Sequence, residues 1–250
     1  FGMAQEDRKP LRGWTMAILG ALEPALTPEQ QQQGNEAVRG FLDYLARLVA
    51  ERRAKPGDPD RDVLTRLIQG ESDGEKLSEV ELLQNCIFIL NGGHETTTSL
   101  LSSALKLLLE WPDERQRLIA EPALMKTALD EFLRMESPVQ LGNRITTEPT
   151  TLGGVDLPAN TVVHMGIGAA NRDPAQFADP ERMDITRSPN RHFAFAGGIH
   201  QCAGSHLAKL QAEIALNAFL ARFPDYELGE PVRGGRARFR NFLAMPARVR

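Results

Sequence analysis

The sequence predicts a mainly α fold with a small β part. Hydrophobic residues recur with helical spacing from near the start of the chain to Met135 and again near its end, and β-branched residues broken by glycine and proline lie between these regions. The composition agrees with a packed fold, because 42% of the 250 residues are hydrophobic and 25% are charged. We expect a single domain over residues 1–250, without a separate second domain.

Three helices are predicted in the first third of the chain, separated by polar breaks. They cover Arg12 to Leu22, Pro28 to Ala54 and Asp62 to Gln69. Thr27 precedes the second helix as an N-terminal cap, and Pro28 occupies the first helical position, where proline is well tolerated. An apolar stripe makes this second helix amphipathic, so it is predicted to pack against a core.

A long helix is predicted next. Ser78 and Glu81 have the spacing of a capping box, and apolar residues continue from there until Trp111 and Pro112 end the helix. These apolar residues, Phe88 among them, lie on several faces. We therefore expect other elements to surround the helix and the helix to run through the centre of the fold.

The remaining predicted elements are shorter, apart from one helix near the end. In chain order they are helices at Asp113 to Ile119 and Pro122 to Met135, a hairpin and a further strand within Thr147 to Ala169, a loop-rich stretch from Asn171 to Gly198, a helix at Ala203 to Arg222 and a strand-like tail at Phe239 to Val249.

Composition also limits the function. The 29 basic and 33 acidic residues give a net charge of −4, which argues against a nucleic acid partner. Two cysteines, Cys86 and Cys202, cannot form a disulfide scaffold, and the sequence has neither a signal peptide pattern nor an apolar run of the roughly 20 residues that cross a bilayer. We expect a cytoplasmic protein with no membrane partner. Because the sequence opens at Phe1 rather than at methionine, we also expect that a preceding piece is missing.

The clearest chemical signal is the segment 195–204, FAGGIHQCAG, which places Cys202 just before the last long helix. A thiolate at a helix N-terminus is stabilised by the helix dipole and by amide donors, which favours metal ligation. The glycines let the backbone close around the sulfur and let a flat cofactor approach. One alternative is a buried structural cysteine in a tight turn. Another is a zinc site of His200, Cys202 and His206, although this spacing suits a closed tetrahedral site poorly.

Residues 195–204 resemble the haem-ligand loop of the cytochrome P450 family. The matching positions are Phe195, Gly198, His200, Cys202 and Gly204. Three more segments resemble motifs of the family in the family's order: Gly92 to Thr97 resembles its oxygen-binding stretch, Glu131 to Arg134 its Glu-x-x-Arg helix, and Phe177 to Arg182 the segment whose arginine joins that pair. The resemblance covers nearly the whole chain. It implies the fold of a soluble bacterial member, helix-rich with a long central helix over haem, that lacks its N-terminal portion.

The resemblance implies haem b, iron protoporphyrin IX, as the cofactor and Cys202 as the axial thiolate ligand of its iron. His200 and Arg144 are expected to bind the propionates, and Phe195 is expected to pack near the sulfur side of the ring. The glycines expected at the cofactor are Gly92, Gly198 and Gly204.

Glu95 and Thr96 are the predicted catalytic residues. They follow Gly92 and Gly93, and glycine costs a helix interior roughly 1 kcal/mol relative to alanine, so this pair needs a compensating use. A carboxylate and a hydroxyl in an apolar helix each need a partner, which could be a basic side chain and the carbonyl one turn back. The resemblance implies instead that Thr96 steadies bound dioxygen and its water and that Glu95 helps to relay protons.

Glu131 and Arg134 are three residues apart and therefore share a helix face on which they can bond. The resemblance implies that Arg182 completes a buried network with them and that this network supports the cysteine loop. We expect all three residues to be structural rather than catalytic.

The resemblance implies a haem-thiolate monooxygenase that inserts one oxygen atom of O2 into a small apolar organic substrate. Its electrons would come from a ferredoxin- or flavodoxin-type carrier. The alternative is a truncated, non-catalytic haem-binding or interaction fragment of such an enzyme, because the family's chains extend further towards the N-terminus. Two local departures from the family pattern are Ala196, where a glycine is common, and Gly92, where alanine is frequent.

Overall fold

The computed structural model describes residues 1–72 and 74–249 and is mainly helical. Its α-helices are α1 (Arg8–Gly20), α2 (Pro28–Ala54), α3 (Val63–Gln69), α4 (Glu79–Glu110), α5 (Pro112–Ala120), α6 (Met125–Met135), α7 (Ile167–Ala170) and α8 (Ser205–Arg222). Short 3-10 helices occur at Gln5–Asp7, Pro122–Leu124 and Gly198–His200. The predicted class, mainly α with a small β part, is confirmed.

The strands form two-stranded antiparallel pairs. The pairs are β1 (Glu71–Ser72) with β2 (Glu75–Lys76), β3 (Leu141–Ile145) with β6 (Val162–Gly166), β4 (Thr150–Leu152) with β5 (Val155–Leu157), β7 (Glu227–Leu228) with β10 (Ala247–Arg248), and β8 (Val232–Arg233) with β9 (Phe242–Ala244). The ladder of β3 with β6 carries Arg144 opposite Val163.

Two helix starts form as the sequence predicts. At α2, the Thr27 hydroxyl accepts a hydrogen bond from the Gln30 amide, and the Gln30 side chain accepts one from the Thr27 amide. At α4, the Ser78 hydroxyl accepts from the Glu81 amide at 3.3 Å, and the Glu81 carboxylate accepts from the Ser78 amide at 2.9 Å. Each capping box satisfies donors that the first turn of a helix leaves without an intrahelical partner.

The chain divides into two compact units, Phe1–Glu95 and Thr96–Arg250. In the first unit, α1, α2, α3 and the start of α4 enclose a core in which Phe41 and Leu45 are fully buried. Trp14 of α1 stacks on Phe41 with ring centroids 5.4 Å apart. The expectation of one domain over the whole chain stays a prediction.

The core of the second unit lies between α6, α8 and the later part of α4. Phe132 of α6, Leu216 of α8 and Leu108 of α4 are buried in it. Fully burying an apolar side chain of this size contributes roughly 1.5–3 kcal/mol. This packing fixes α6 against α8, and α8 begins just after Cys202.

Three features differ from the sequence-based expectations. α1 begins at Arg8 rather than Arg12, because Pro10 falls in the first turn, where a missing amide removes no intrahelical bond. β3 was not among the predicted strands, since its sequence LGNRI has no alternating pattern and its pairing partner lies far along the chain. The expectation that other elements surround α4 is wrong at Phe88, which is 75% exposed, although Leu82 on the same helix is buried.

Candidate functional site

Cys202 lies in a loop that leads directly into α8. Its amide donates a hydrogen bond to the Phe195 carbonyl at 2.9 Å, and its own carbonyl accepts one from the amide of Ser205 at 3.3 Å. Gly204 is the N-cap of α8. The exposed thiol therefore stands three residues before α8, near the end of the helix where the dipole is positive.

The turn between Phe195 and Cys202 contains two residues with a left-handed backbone. Gly198 has a φ of 63° and Ala196 a φ of 56°. Gly198 adopts this conformation without steric cost, and a Cβ built there would meet nothing within 4 Å. Ala196 carries a Cβ and is strained. The departure from the family's common glycine thus falls on a position that favours glycine.

Ala196→Gly is expected to stabilise the protein by up to roughly 1 kcal/mol. The left-handed conformation costs an L-residue about 1–2 kcal/mol, and the greater freedom of glycine in the unfolded chain offsets about 0.4–1 kcal/mol of the gain. Urea-induced unfolding measures the change. The reverse substitution in the same turn, Gly198→Ala, should lower the free energy of unfolding by up to roughly 1 kcal/mol, because the same two effects act with opposite sign. A less stable Ala196→Gly protein would show that Ala196 is not strained.

The two cysteines occupy opposite environments. Cys86 on α4 is fully buried in the core of the first unit, and burial raises the pKa of its thiol to about 11. Cys202 is exposed. The alternative of a buried structural cysteine is therefore wrong for Cys202, which offers the accessible sulfur of the two.

The surroundings of Cys202 fit a flat, apolar cofactor. Ile199 is 98% exposed and Phe193 is also exposed, so the segment before Cys202 presents apolar side chains to solvent. The open space at Gly198 lets a planar group approach the backbone closely. An accessible cysteine sulfur near a helix N-terminus suits an axial ligand of haem iron, for which cysteine is an established ligand type.

Arg144 and His200 were predicted to bind propionates, and both belong to the second unit. Arg144 is exposed on β3, where its Nη1 donates to the Asn143 carbonyl at 2.7 Å. His200 is exposed at the end of a 3-10 helix, two residues before Cys202. Because both side chains are exposed, each can form a hydrogen bond with a carboxylate group of a bound ligand. Their role as propionate ligands stays a prediction.

The segment that resembles the oxygen-binding stretch lies in the middle of α4. Glu95 is only 8% exposed, and its Oε1 lies 3.2 Å from Nδ1 of His94, a histidine to which the sequence assigned no role. Thr96 is half-buried. A Cβ built on Gly92 or Gly93 would meet nothing within 4 Å, so the helix surface is open at both glycines. The catalytic roles of Glu95 and Thr96 stay predictions.

Glu131 and Arg134 form a fully buried ion pair on α6. Two bonds of 2.8 Å join the carboxylate to Nε and Nη2 of Arg134. The carboxylate also accepts from the Asp184 amide at 2.9 Å and from Nδ2 of Asn190 at 3.0 Å. These additional donors offset the desolvation of the carboxylate, which a buried ion pair alone does not always do.

The second arginine of this network is Arg187. Its Nε lies 3.2 Å from Oε2 of Glu131. Arg182 contributes only its backbone carbonyl here, which accepts from Arg134 at 3.1 Å and from Arg187 at 3.3 Å. The expectation that the Arg182 side chain completes the network is therefore wrong. Both arginines lie in a loop-rich segment, where no periodicity indicates which side chain points inward.

Asn171 joins this ion network to the cysteine loop, which comprises residues 192–204 and leads into α8. The residue is fully buried, and its carbonyl accepts from Nη1 of Arg134 at 3.0 Å. Its Oδ1 accepts from the amide of Phe193 at 2.7 Å, and its Nδ2 donates to the Ser137 hydroxyl at 2.8 Å. Sequence reasoning missed Asn171, because a single asparagine in a loop carries no distinguishing signal.

The matched region of the chain decides its family. Residues 18–227 match the sequence profile described as Cytochrome P450. The chain belongs to the cytochrome P450 family. This cytochrome P450 chain is 41% identical to the polyketide biosynthesis cytochrome P450 PksS of Bacillus subtilis, over 91% of the chain and 55% of that protein. It is 37% identical to 6-deoxyerythronolide B hydroxylase of Saccharopolyspora erythraea, over 92% of the chain and 55% of that protein. The chain spans about half the length of the curated relatives it matches.

Solved structures of bacterial cytochromes P450 share the fold. P450BioI, in a complex with hexadec-9Z-enoic acid ligated acyl carrier protein, matches with a TM-score of 0.94 at 34% identity, over 100% of this chain and 64% of that chain. PksS of Bacillus subtilis matches with a TM-score of 0.90 at 37% identity, over 100% of this chain and 63% of that chain. The predicted cytochrome P450 fold is confirmed.

Two further observations concern membrane-spanning helices and the alternative of a zinc site. Within residues 1–72 and 74–249, no helix has the length and apolar character needed to span a membrane. Over the same described residues, no three His, Cys, Asp or Glu side chains group as metal ligands. His200, Cys202 and His206 therefore do not converge as the zinc alternative would require.

Proposed function

We propose that the protein represented by this cytochrome P450 chain is a haem-thiolate monooxygenase that inserts one oxygen atom of O2 into a small, apolar organic substrate. The observation that supports the proposal is the exposed Cys202 thiol just before α8, in a loop whose sequence resembles the family's ligand loop. The cofactor proposed is haem b. A cytoplasmic location stays a prediction.

The chain's own residues would hold the cofactor from one loop and one strand. Cys202 would lose its proton and bind iron through Sγ, while the helix dipole and amide donors at the start of α8 stabilise the anion. Gly198 and Gly204 would let the ring approach the backbone, and Phe195 would pack beside it. Arg144 and His200 would bind the propionates. Haem ligated by a thiolate supplies an iron centre that favours cleavage of the O–O bond.

Glu95 and Thr96 would handle protons in this reaction. The Glu95 carboxyl is shielded from bulk solvent and can hold a proton at Oε1 or Oε2. The Thr96 hydroxyl both accepts and donates, so it can pass a proton onward from Oγ1. The open helix surface at Gly92 and Gly93 leaves room beside these groups for a small ligand.

Electrons would come from a ferredoxin- or flavodoxin-type carrier. The names of the relatives point to a biosynthetic setting, since PksS is described with polyketide biosynthesis and P450BioI was solved with a fatty acid carried by an acyl carrier protein. Apolar acyl or polyketide compounds are therefore the first substrates to screen.

The function is tested in the complete protein loaded with haem. A red-shifted, thiolate-type absorption band of the reduced carbon monoxide complex and carrier-dependent consumption of an apolar substrate are the expected results. Haem binding without turnover under any carrier would support the alternative of a non-catalytic haem-binding module. Absence of haem binding would overturn the proposed function and leave the alternative of an interaction fragment.

Thr96→Ala is expected to reduce the product formed per electron at least about tenfold, since a positioned proton donor typically contributes about 10²–10⁴ in rate. The missing electrons should appear as hydrogen peroxide, while haem stays bound. The matched control is Thr98→Ala, an exposed threonine on the same helix that should leave the ratio unchanged. Unchanged coupling in Thr96→Ala would remove Thr96 from the proton path.

A further inference from the structure

Asp130 lies on α6 directly before the buried Glu131, but its side chain serves a separate cluster. Its Oδ1 receives Nε2 of His192 at 3.0 Å and Nζ of Lys209 at 2.5 Å. Burial acts to raise the pKa of this carboxyl, but the bonds from His192 and Lys209 outweigh burial and lower it. The carboxylate therefore joins three segments: α6, α8 and the start of the cysteine loop.

His192 is held on both ring nitrogens. Its side chain is 6% exposed, and its Nδ1 faces the Ala194 amide at 3.2 Å. Because a backbone amide only donates, Nδ1 must accept, and the proton of the neutral ring must lie on Nε2, where it points at Asp130. One tautomer thus satisfies both bonds, and the ring orientation is fixed.

The cluster leads to Phe195. The His192 ring packs against the Phe195 ring with centroids 6.0 Å apart, and Nζ of Lys209 lies 5.9 Å from the Phe195 centroid. The Phe195 carbonyl, in turn, accepts the amide of Cys202 at 2.9 Å. A continuous set of contacts therefore runs from Asp130 to the backbone of Cys202.

We propose that Asp130, His192 and Lys209 are positioning residues that hold Phe195 and thereby fix the backbone of Cys202 as a ligand. The assignment of the ligand rests on the proposed function. Sequence reasoning gave none of these three residues a role. A separate contact from Asn171, which follows α7, holds the Phe193 amide. The cysteine loop is therefore held at two points: by the neutral side chain of Asn171 at Phe193, and by the charged cluster of Asp130 at His192 and Phe195.

Two variants separate the parts of the cluster. Asp130→Asn keeps an oxygen that accepts from His192 but removes the charge that faces Lys209. His192→Phe keeps a ring beside Phe195 but removes both hydrogen bonds. The matched controls are Asp156→Asn, at an exposed aspartate on β5, and Lys106→Met, at a lysine paired with Glu110 on α4.

The first measurement is backbone amide exchange of Cys202 in the complete protein without haem. We expect at least about a tenfold faster exchange in both cluster variants, because local opening of the loop exposes this amide. Amides of the β3–β6 ladder are the internal reference, and their exchange should stay unchanged. A merely structural weakening of the whole fold would accelerate both sets equally.

The second measurement is spectroscopic and uses the haem-loaded protein. Both cluster variants should lower the fraction of the reduced carbon monoxide complex that shows the thiolate-type band, and the controls should match the parent. Lys209→Met, at a partly exposed residue, provides a further variant if either cluster variant does not fold, and it should speed exchange in the same direction.

The outcomes separate the two proposals. If the parent protein shows no thiolate-type band, the proposed haem function is wrong, and amide exchange still decides whether the cluster positions Cys202. If the parent shows the band but Cys202 exchanges at the parental rate in the cluster variants, the positioning role is wrong.

Discussion

Cys202→Ser is expected to remove the thiolate-type band of the reduced carbon monoxide complex down to background. A serine hydroxyl stays protonated at neutral pH and is a poor soft ligand, whereas the thiolate donates electron density to iron. The exposed position of Cys202 means that the substitution removes few packing contacts, so the folded state should persist. The absorption spectrum of the haem-loaded, reduced protein measures the effect.

Cys86→Ser is the matched control, because it makes the same chemical change on α4. The band should remain, since Cys86 is buried in the core of the first unit. Burying a hydroxyl there is expected to cost about 1–3 kcal/mol of stability. Cys202→Ser is thus expected to lose the band and keep its stability. Cys86→Ser is expected to keep the band and lose stability. A thiolate-type band in Cys202→Ser would remove Cys202 from the site.

Glu131→Gln is expected to lower the free energy of unfolding by about 3–5 kcal/mol, because removal of one partner leaves a buried charge without compensation. The substitution keeps the shape of the side chain but leaves the guanidinium groups of Arg134 and Arg187 without their shared anion. Urea-induced unfolding, followed by circular dichroism, gives the change.

Glu181→Gln provides the comparison with an exposed ion pair. Glu181 pairs with Arg172, and its side chain is largely in solvent. Surface pairs contribute about 0–1 kcal/mol, so little change is expected. If the two glutamate variants proved equally stable, the buried network would not be the structural support that its geometry indicates.

Local signals were predictable from the sequence. The cap at Thr27 and the capping box at Ser78 and Glu81 depend on residues close in the chain, and α2 keeps the predicted range Pro28–Ala54. The loop that carries Cys202 just before α8 was also located from sequence, because its glycines and Cys202 are neighbours in the chain. Physical interactions between close residues leave a pattern that spacing alone can identify.

Interactions between distant segments were not predictable in the same way. The inward orientation of Arg187 depends on a loop that folds over α6, and Asp130 meets His192 across 62 residues of sequence. β3 becomes a strand through its ladder with β6 rather than through its own composition. In each case tertiary contacts select the conformation, and no local periodicity encodes them.

If Cys202 binds haem iron as proposed, substitutions at Asn171 would affect both folding and metal ligation. One backbone carbonyl of this residue serves the buried arginine, and its side chain serves the loop that precedes Cys202. A genetic screen for colonies without haem absorbance would therefore collect substitutions at Asn171 and around Glu131 together with those at Cys202. Substitutions in this part of the chain would lower both the haem absorbance and the amount of folded protein. Only a variant that loses haem absorbance while its protein level is unchanged would identify the iron ligand.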